Sequence, residues 1–214
     1  MYNIFKQNQF DNNLSPNPIY FQSKSHLDNR GSFFVGYNNE QLNKCLKQQS
    51  KDIEDFNIIQ QNTSISKKYV FRGFHYQYIN PQAKLVNCIT GCVIDFIIDI
   101  RSNSKTKGKL VGYYLNDPTM YLYVPIGFSH GFVSLQNNTM FQYLVSDVWN
   151  KQGEAGIHAS YLLNKDIPLF DKDIVGNIKI VEHVFNKMIL SDKDNKQISF
   201  QDFLNNEENN DIFK

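Results

Sequence analysis

Apolar and polar residues alternate with a period of two through much of the chain between residues 56 and 146. This alternation is typical of β-strands that bury one face. It occurs in seven runs, at 56–60, 68–78, 84–101, 110–115, 121–124, 131–135 and 140–146. Turn-forming residues such as Asn116-Asp117-Pro118, Pro125-Ile126-Gly127 and Asn137-Asn138 separate several of the runs. Many short strands between turns predict an antiparallel sandwich or barrel.

Two of these runs carry polar groups on a face of otherwise apolar strands. Run 84–101 contains Thr90-Gly91, which predicts a hairpin turn between two strands. In its second arm one face is wholly apolar, and the other bears Asp95 and Asp99. In run 140–146, alternation places Tyr143 on the same face as Phe141 and Val145.

The flanking segments differ from this pattern. Residues 1–20 are polar and asparagine-rich, which predicts a loosely held arm or an edge strand. Asp28-Asn29-Arg30-Gly31 indicates a turn before a short strand at 32–37, and the helix formers of 38–54 predict a short surface helix. Beyond residue 150 the pattern is irregular, and the acidic tail at 205–214 is expected to be frayed.

Composition narrows the class of protein. The chain has 214 residues, 41% of them hydrophobic, enough for one core, so we expect one domain over 1–214. Its 22 basic and 21 acidic residues nearly balance, so no strong net charge favours binding to nucleic acid or to a membrane surface. No apolar run approaches the roughly 20 residues of a membrane span. Three cysteines and no secretory signal at the N-terminus predict a cytoplasmic protein, with Cys88 and Cys92 as buried thiols.

The stretch with most potential for chemistry is Phe71-Arg72-Gly73-Phe74-His75-Tyr76-Gln77. A histidine among aromatic rings can act as a base near neutral pH, and an adjacent arginine can bind phosphate or carboxylate. The same stretch is equally consistent with a core strand whose histidine is satisfied by hydrogen bonds.

Three later stretches favour the catalytic interpretation. They are Gly91 to Arg101, Val124 to Phe132, and Leu190-Ser191-Asp192-Lys193-Asp194. Together with the first stretch, and in this order, they resemble the dTDP-4-dehydrorhamnose 3,5-epimerase family of nucleotide-sugar epimerases. The resemblance covers about residues 27–157 and 190–194. It implies an all-β fold, an antiparallel jelly-roll (cupin) barrel with short peripheral helices.

The resemblance also implies a reaction. The family inverts carbons 3 and 5 beside the ketone of a nucleoside-diphosphate 4-keto-6-deoxyhexose, removing and returning protons through an enolate. That chemistry needs a base on one face of the sugar, an acid on the other, and a cation or donor at the ketone oxygen. No cofactor and no metal are implied.

By resemblance, His75 is the base, Asp194 orients it, Tyr143 is the proton donor and Lys84 stabilises the enolate oxygen. The matching substrate-binding residues are Arg30, Gln60, Asn62, Arg72, His130, Glu154 and Lys193. Taken locally, Lys84 could equally be a solvated lysine and Asp194 a helix cap. Strict alternation would place Arg72 and His75 on opposite strand faces, so a shared pocket requires a bulge at Gly73 or an Arg72 beyond the regular ladder.

Some positions depart from the family. Val35 replaces a usual glutamate at the nucleotide, Val148 replaces a usual tyrosine, although Trp149 follows, and the Trp-Pro segment is not recognisable in 161–170. Four alternatives stay open. The enzyme could invert one carbon only, or act on another nucleotide-linked keto sugar. The protein could also be a metal-dependent cupin, although His75 lacks the His-x-His pairing of such enzymes, or a non-catalytic sugar-binding jelly roll. The family pairs its subunits through N-terminal strands, so we expect a homodimer.

Overall fold

The computed structural model describes residues 2–5, 9–11, 13–14, 16–49, 53–163, 166–171, 175–179, 182–206 and 213. Within them the strands are β1 (Tyr2–Phe5), β2 (Ile19–Ser23), β3 (Ser25–Asp28), β4 (Gly31–Phe34), β5 (Gln60–Ser66), β6 (Phe71–Gln77), β7 (Lys84–Thr90), β8 (Val93–Asp99), β9 (Leu110–Leu115), β10 (Met120–Val124), β11 (Phe128–Ser134), β12 (Thr139–Val145), β13 (Glu154–Gly156), β14 (Asp166–Phe170) and β15 (Val175–Lys179). The α-helices are α1 (Asn39–Gln49), α2 (Glu182–Phe185) and α3 (Phe200–Asn205). Across this described part of the chain, no helix is long and apolar enough to cross a bilayer.

Two large sheets form the body of the fold. One has six strands in the order β1-β2-β10-β7-β12-β5, and the other has seven in the order β13-β6-β11-β8-β9-β14-β15. Neighbouring strands run antiparallel except for β14, which pairs with β9 in parallel. A separate two-stranded hairpin joins β3 and β4. The fold is the predicted all-β jelly roll, with the sheets open at their edges.

The inner faces of the two sheets share one apolar core. It contains Val86 of β7, Val111 of β9, Leu122 of β10 and Phe141 of β12, all fully buried, and Tyr143 packs at its border. Aromatic stacking strengthens it, since the Phe132 and Phe141 ring centroids lie 4.1 Å apart. Tyr143 therefore shares the inward face with Phe141, as alternation predicted.

Each sheet is also covered on its outer face. Leu42 and Leu46 of α1 pack with Phe56 on the six-stranded sheet. The C-terminal elements cover the seven-stranded sheet, where Leu162 and Phe203 are buried. Both faces of the central strands are therefore covered, which is why β8 is buried at every position, including its carboxylates Asp95 and Asp99.

The predicted hairpin at 84–101 is wrong. β7 and β8 do form, but β7 pairs with β10 and β12 while β8 pairs with β9 and β11, so they belong to different sheets. Gly91, at φ +84°, turns the chain from one sheet to the other. A turn residue between two strands cannot indicate whether the strands pair edge to edge or stack face to face.

Three boundaries also differ from those predicted. The described part of the helix extends to Gln49, residues 50–52 lie outside the described part, and residues 53–54, predicted to be helical, are not. The strand expected at 56–60 begins only at Gln60. Residue Phe56 is extended, but Asn43 of α1 bonds both its N–H and its C=O, so a side chain takes the place of a neighbouring strand. The strand expected at 32–37 is β4, which ends at Phe34.

Described residues of both terminal segments contact the body of the fold. β1 pairs with β2 at the edge of the six-stranded sheet, in agreement with the edge-strand alternative for the N-terminal arm. The buried guanidinium of Arg101 donates to the carbonyls of Leu14 and Pro16 and thereby holds that arm against the fold. In the C-terminal tail, Phe213 is buried, whereas residues 207–212 and 214 lie outside the described part.

Candidate active site

A cavity of about 490 Å³ opens between the two sheets. It is lined by Gln60, Asn62, Arg72, His75, Gln82, Lys84, His130, Phe132, Tyr143, Trp149, Glu154, Ser191, Lys193 and Asp194. Of the predicted site residues, only Arg30 is not among them. Residues far apart in the sequence thus meet in one enclosed space.

A bulge in β6 brings Arg72 and His75 to the same cavity. In the pairing with β11, His130 lies opposite His75 and Phe132 opposite Arg72, so β6 carries one extra residue between the two pairs. Gly73 lies at this point with φ +147°, and a Cβ there would sit 2.4 Å from the Cα of Gly131. The close approach of the two strands requires glycine at this position. Of the two arrangements that could bring Arg72 and His75 together, the bulge at Gly73 is the one found, and Arg72 stays within the ladder.

His75 is paired with Asp194. Its Nε2 lies 2.5 Å from Asp194 Oδ1, and the carboxylate is buried within a 3-10 turn. The segment carrying Asp194 docks on β6, where Phe71 N–H donates to the carbonyl of Ile189. Burial alone would raise the pKa of Asp194, but the hydrogen bond and charge of His75 lower it below its usual value. Asp194 is therefore a carboxylate that can orient the imidazole and stabilise its protonated form.

Tyr143 reaches the cavity from the opposite sheet. It lies on β12, opposite Asn62 of β5 and Val86 of β7. Burial raises the pKa of its hydroxyl, while the nearby charge of Arg72 opposes that rise. Tyr143 is therefore protonated at neutral pH, as a proton donor must be.

Lys84, Asp95 and His130 form a second polar group in the cavity. His130 Nε2 lies 2.9 Å from the fully buried carboxylate of Asp95. Burial raises the pKa of Asp95 and lowers that of His130. Burial also lowers the pKa of Lys84 to about 8, and the charges of Asp95 and Glu154 limit the decrease. Lys84 thus retains a positive charge at neutral pH in a site where solvent screens it little.

At the mouth, Glu154 accepts bonds from two directions. Lys193 Nζ lies 2.6 Å from its carboxylate, and Trp149 Nε1 donates to the same oxygen over 2.9 Å. These bonds overcome the effect of burial and lower the pKa of Glu154. In the same cavity, Gln60 Nε2 donates to Asn62 Oδ1 over 2.7 Å, so two predicted nucleotide-binding residues are held together.

Arg30 lies elsewhere, in the turn of the β3–β4 hairpin. Its side chain is 86% exposed and forms an ion pair with Asp28 over 2.6 Å. The two positions that depart from the family, Val35 and Val148, are also exposed and do not line the cavity. The structure therefore leaves the predicted role of Arg30 without support from within one chain.

Sequence reasoning missed several lining residues, namely Gln82, Phe132, Trp149 and Ser191, as well as Asp95 behind His130. Asp95 had a usable signal, because a carboxylate inside an otherwise apolar strand must find a partner. Phe132 and Ser191 lie within the stretches already singled out. Gln82 and Trp149 lie in turns whose path only the fold reveals.

The arrangement supplies the groups for proton transfer on both faces of a carbonyl compound. His75 approaches from the seven-stranded sheet, Tyr143 from the six-stranded sheet, and Lys84 offers a cation in the same cavity. A search of the described residues finds no group of three or more His, Cys, Asp or Glu side chains placed to hold a metal ion.

Comparison with known proteins finds similarity to one family of enzymes. The family profile described as dTDP-4-dehydrorhamnose 3,5-epimerase matches residues 15–202. The enzyme of that name from Shigella flexneri is 35% identical over 170 residues, covering 75% of this chain and 90% of the relative. The one from Mycobacterium tuberculosis (strain H37Rv) is 37% identical over 149 residues, covering 68% and 71%.

Solved structures of enzymes with this or an equivalent name are also similar to this chain. That of dTDP-4-dehydrorhamnose 3,5-epimerase from Elizabethkingia anophelis has a TM-score of 0.73 and 30% identity, covering 94% of this chain and 97% of its own. The Legionella pneumophila dTDP-6-deoxy-D-glucose-3,5-epimerase, in complex with dTDP-4-keto-L-rhamnose, has a TM-score of 0.74 and 28% identity, covering 94% of each. Since the family profile matches residues 15–202 and the solved structures cover 94% of the chain, this chain belongs to the dTDP-4-dehydrorhamnose 3,5-epimerase family.

Proposed function

We propose that this protein epimerises carbons 3 and 5 of a dTDP-linked 4-keto-6-deoxyhexose, of the dTDP-4-dehydro-6-deoxyglucose to dTDP-4-dehydrorhamnose type. One observation carries the proposal: the His75–Asp194 pair and Tyr143 enter a single cavity from opposing sheets, with Lys84 in the same space. A base and an acid on opposite sides of a substrate are what inversion requires, because the proton must leave one face and return to the other.

In the proposed reaction, His75 removes the proton from a carbon next to the ketone. The electron pair moves to the ketone oxygen, where the ammonium of Lys84 stabilises the enolate. Tyr143 then delivers a proton to the opposite face of the same carbon. Asp194 stabilises the imidazolium, and its lowered pKa supports that role because the carboxylate stays charged. His75 then releases its proton to solvent and Tyr143 takes one from solvent, which resets the base and the acid. Repetition at the second carbon completes the double inversion.

The diphosphate would be held by Arg72, whose guanidinium can donate two parallel bonds to phosphate oxygens. Gln60, Asn62, Glu154 and Lys193 are proposed to bind the rest of the nucleotide, and His130 to contact the sugar. Their shared position on the cavity wall supports this assignment. No cofactor is proposed, since the chain's own side chains supply each proton-transfer step.

We further propose a cytoplasmic homodimer. The three free cysteines, Cys45, Cys88 and Cys92, suit a reducing compartment. The β3–β4 hairpin exposes Leu27 and Phe33, which are 83% and 70% accessible, and apolar side chains on a hairpin favour burial against a second copy. Such pairing would also offer Arg30 a route to the partner's cavity.

The proposed reaction is tested by incubating the protein with dTDP-4-dehydro-6-deoxyglucose in deuterated water and following carbons 3 and 5 by NMR. Deuterium should enter both carbons as the dehydrorhamnose product forms. His75→Asn should reduce exchange at both carbons by at least about 10²-fold, because an essential base is lost. It should still bind dTDP, since the ring contributes to the transition state and not to the nucleotide. Exchange at one carbon only would limit the activity to single inversion, and full exchange in His75→Asn would remove His75 from the mechanism.

A further inference from the structure

Gln77, the last residue of β6, has a side chain that the proposed reaction does not use. The residue is 6% exposed, yet its amide is fully occupied. Nε2 donates to the carbonyls of Asn80 and Val148, and Oε1 accepts from Asn150 N–H over 2.8 Å. A buried amide with three hydrogen bonds fixes the backbone that it contacts.

Two of those three hydrogen bonds are made to the residues on either side of Trp149, to the carbonyl of Val148 and to the N–H of Asn150. The loop from residue 147 to 153 connects β12 to β13 and passes the mouth of the cavity. Elsewhere it is tied at its ends, where Gln82 Nε2 donates to the carbonyl of Asp147 and Tyr78 Oη donates to that of Gln152. Gln77 therefore holds the middle of the loop, the part that carries the indole.

Trp149 itself is poorly packed for an aromatic residue. It is 55% exposed, lines the cavity, and donates its indole N–H to Glu154. Among the described residues, Trp149 belongs to none of the hydrophobic core clusters, so the direction of its ring depends on the backbone at residues 148–150 and on that one bond. An indole with an open face beside a cavity offers a flat apolar surface to a ligand.

We propose that Gln77 is a positioning residue, which holds the 148–150 backbone so that Trp149 forms part of the wall that binds the nucleotide sugar. The inference rests on the proposed function for the identity of that ligand. Gln77 acts on binding and not on proton transfer, because two of its side-chain bonds go to the loop that carries Trp149. His75 lies on the same strand, but its ring is held by Asp194, and Tyr143 and Lys84 lie on β12 and β7. Disturbing it changes affinity and leaves the chemical step intact.

The protein has one tryptophan and 12 tyrosines, so emission excited at a wavelength that tyrosine does not absorb reports on Trp149 alone. In the wild type, dTDP should change the emission in a saturable way. Gln77→Met keeps the volume but loses all three bonds, and we expect the indole to become more accessible to acrylamide and the Kd for dTDP to rise about tenfold. KM should rise similarly, with kcat within about twofold of the wild type. Tyr78→Phe is the matched control, since it removes one bond to the same loop away from the indole; it should change neither Kd nor quenching.

A double-mutant cycle separates positioning from general destabilisation. Trp149→Ala should weaken dTDP binding by itself, measured by calorimetry because the fluorophore is lost. Adding Gln77→Met to Trp149→Ala should not weaken dTDP binding further, because the residue through which Gln77 acts is gone. Additive losses would overturn the proposal, and so would a Trp149→Ala protein that binds dTDP as the wild type does; this second test holds even if Gln77→Met does not fold.

The same titrations distinguish this inference from the proposed function. Wild-type protein that binds dTDP but does not epimerise the keto sugar would contradict the reaction and leave the role of Gln77 to be decided by the cycle. Wild-type protein that does not bind dTDP would overturn both. Normal epimerisation and dTDP binding in Gln77→Met would overturn the positioning role alone.

Discussion

Tyr143 and His75 enter the cavity from different sheets, so removing one group leaves the other in place. Tyr143→Phe keeps the packed ring and loses only the hydroxyl. We expect the variant still to form the enolate and to take up deuterium, because His75 and Lys84 remain. Inverted product should decrease by roughly 10² to 10⁴, the contribution of a positioned acid. NMR of substrate and product in deuterated water measures both quantities in one sample.

Equal loss of exchange and inversion in Tyr143→Phe would contradict this division of roles. The hydroxyl would then serve the enolate oxygen, which is the function proposed for Lys84. Tyr123→Phe is a suitable control, since Tyr123 is a buried tyrosine of β10 that packs on the outer side of the six-stranded sheet.

The lowered pKa of Lys84 predicts that kcat/KM decreases as the pH rises, which gives its pH profile a falling limb. Burial lowers its pKa to about 8, so the ammonium is charged below that pH and loses its charge above it. The enolate is stabilised only by the charged form, so kcat/KM should decrease through about pH 8, by up to roughly tenfold per unit. Lys84→Arg should be slower but should lose this limb, because the guanidinium stays charged. The same falling limb in Lys84→Arg would assign the titration to another group.

At the scale of elements, the bulge in β6 determines which residues share the cavity. Gly73→Ala would place a Cβ 2.4 Å from the Cα of Gly131, at a φ that other residues rarely adopt. We expect the free energy of unfolding in urea to decrease by about 3 kcal/mol. Affinity for dTDP should also decrease, because the strands must separate where Arg72 is positioned.

Gly176→Ala is the matched control for that variant. Gly176 is an exposed strand glycine of β15 with no atom within 4 Å of a built Cβ. Its free energy of unfolding should change by no more than about 0.5 kcal/mol. If Gly73→Ala were as stable and bound dTDP as well as Gly176→Ala, the close contact between β6 and β11 would not be needed to form the site.

For the whole molecule, the proposed homodimer should appear in light scattering at twice the 25.0 kDa of the chain. Phe33→Asp, in the exposed hairpin, should weaken self-association by placing a charge in the interface. Ile65→Asp is the control, since Ile65 is similarly exposed but lies on β5. A monomeric wild type at micromolar concentration would contradict the dimer.

Mixing two inactive variants tests whether Arg30 serves the partner's cavity. Arg30→Ala and His75→Asn should each be impaired as homodimers. In a mixed dimer, one site combines an intact His75 with an intact Arg30 from the other subunit. Random reassortment makes about half of the dimers mixed, and one of the two sites in each mixed dimer is intact. About a quarter of wild-type activity should therefore return. No recovery would leave Arg30 without a role across the interface.

Much of the fold follows from local pattern. Alternation located β6, β8, β9 and β12, and helix formers located α1, because each element must place its apolar residues on the side that becomes buried. The ordered motifs of the family predicted the site residues, ten of which share the cavity. The sequence limited the way in which Arg72 and His75 could meet to a bulge at Gly73 or an Arg72 beyond the ladder, and the strand register shows the bulge.

Tertiary structure alone decided how those elements combine. β7 and β8 are consecutive strands, yet they stack in opposing sheets, because edge pairing depends on partners far along the chain and not on the turn between them. His75 meets Asp194 across 119 positions through backbone bonds that no local periodicity records. Likewise, the place of Trp149 in the cavity wall and its support by Gln77 depend on the path of the 147–153 loop, because the bonds that hold this loop join side chains to distant carbonyls.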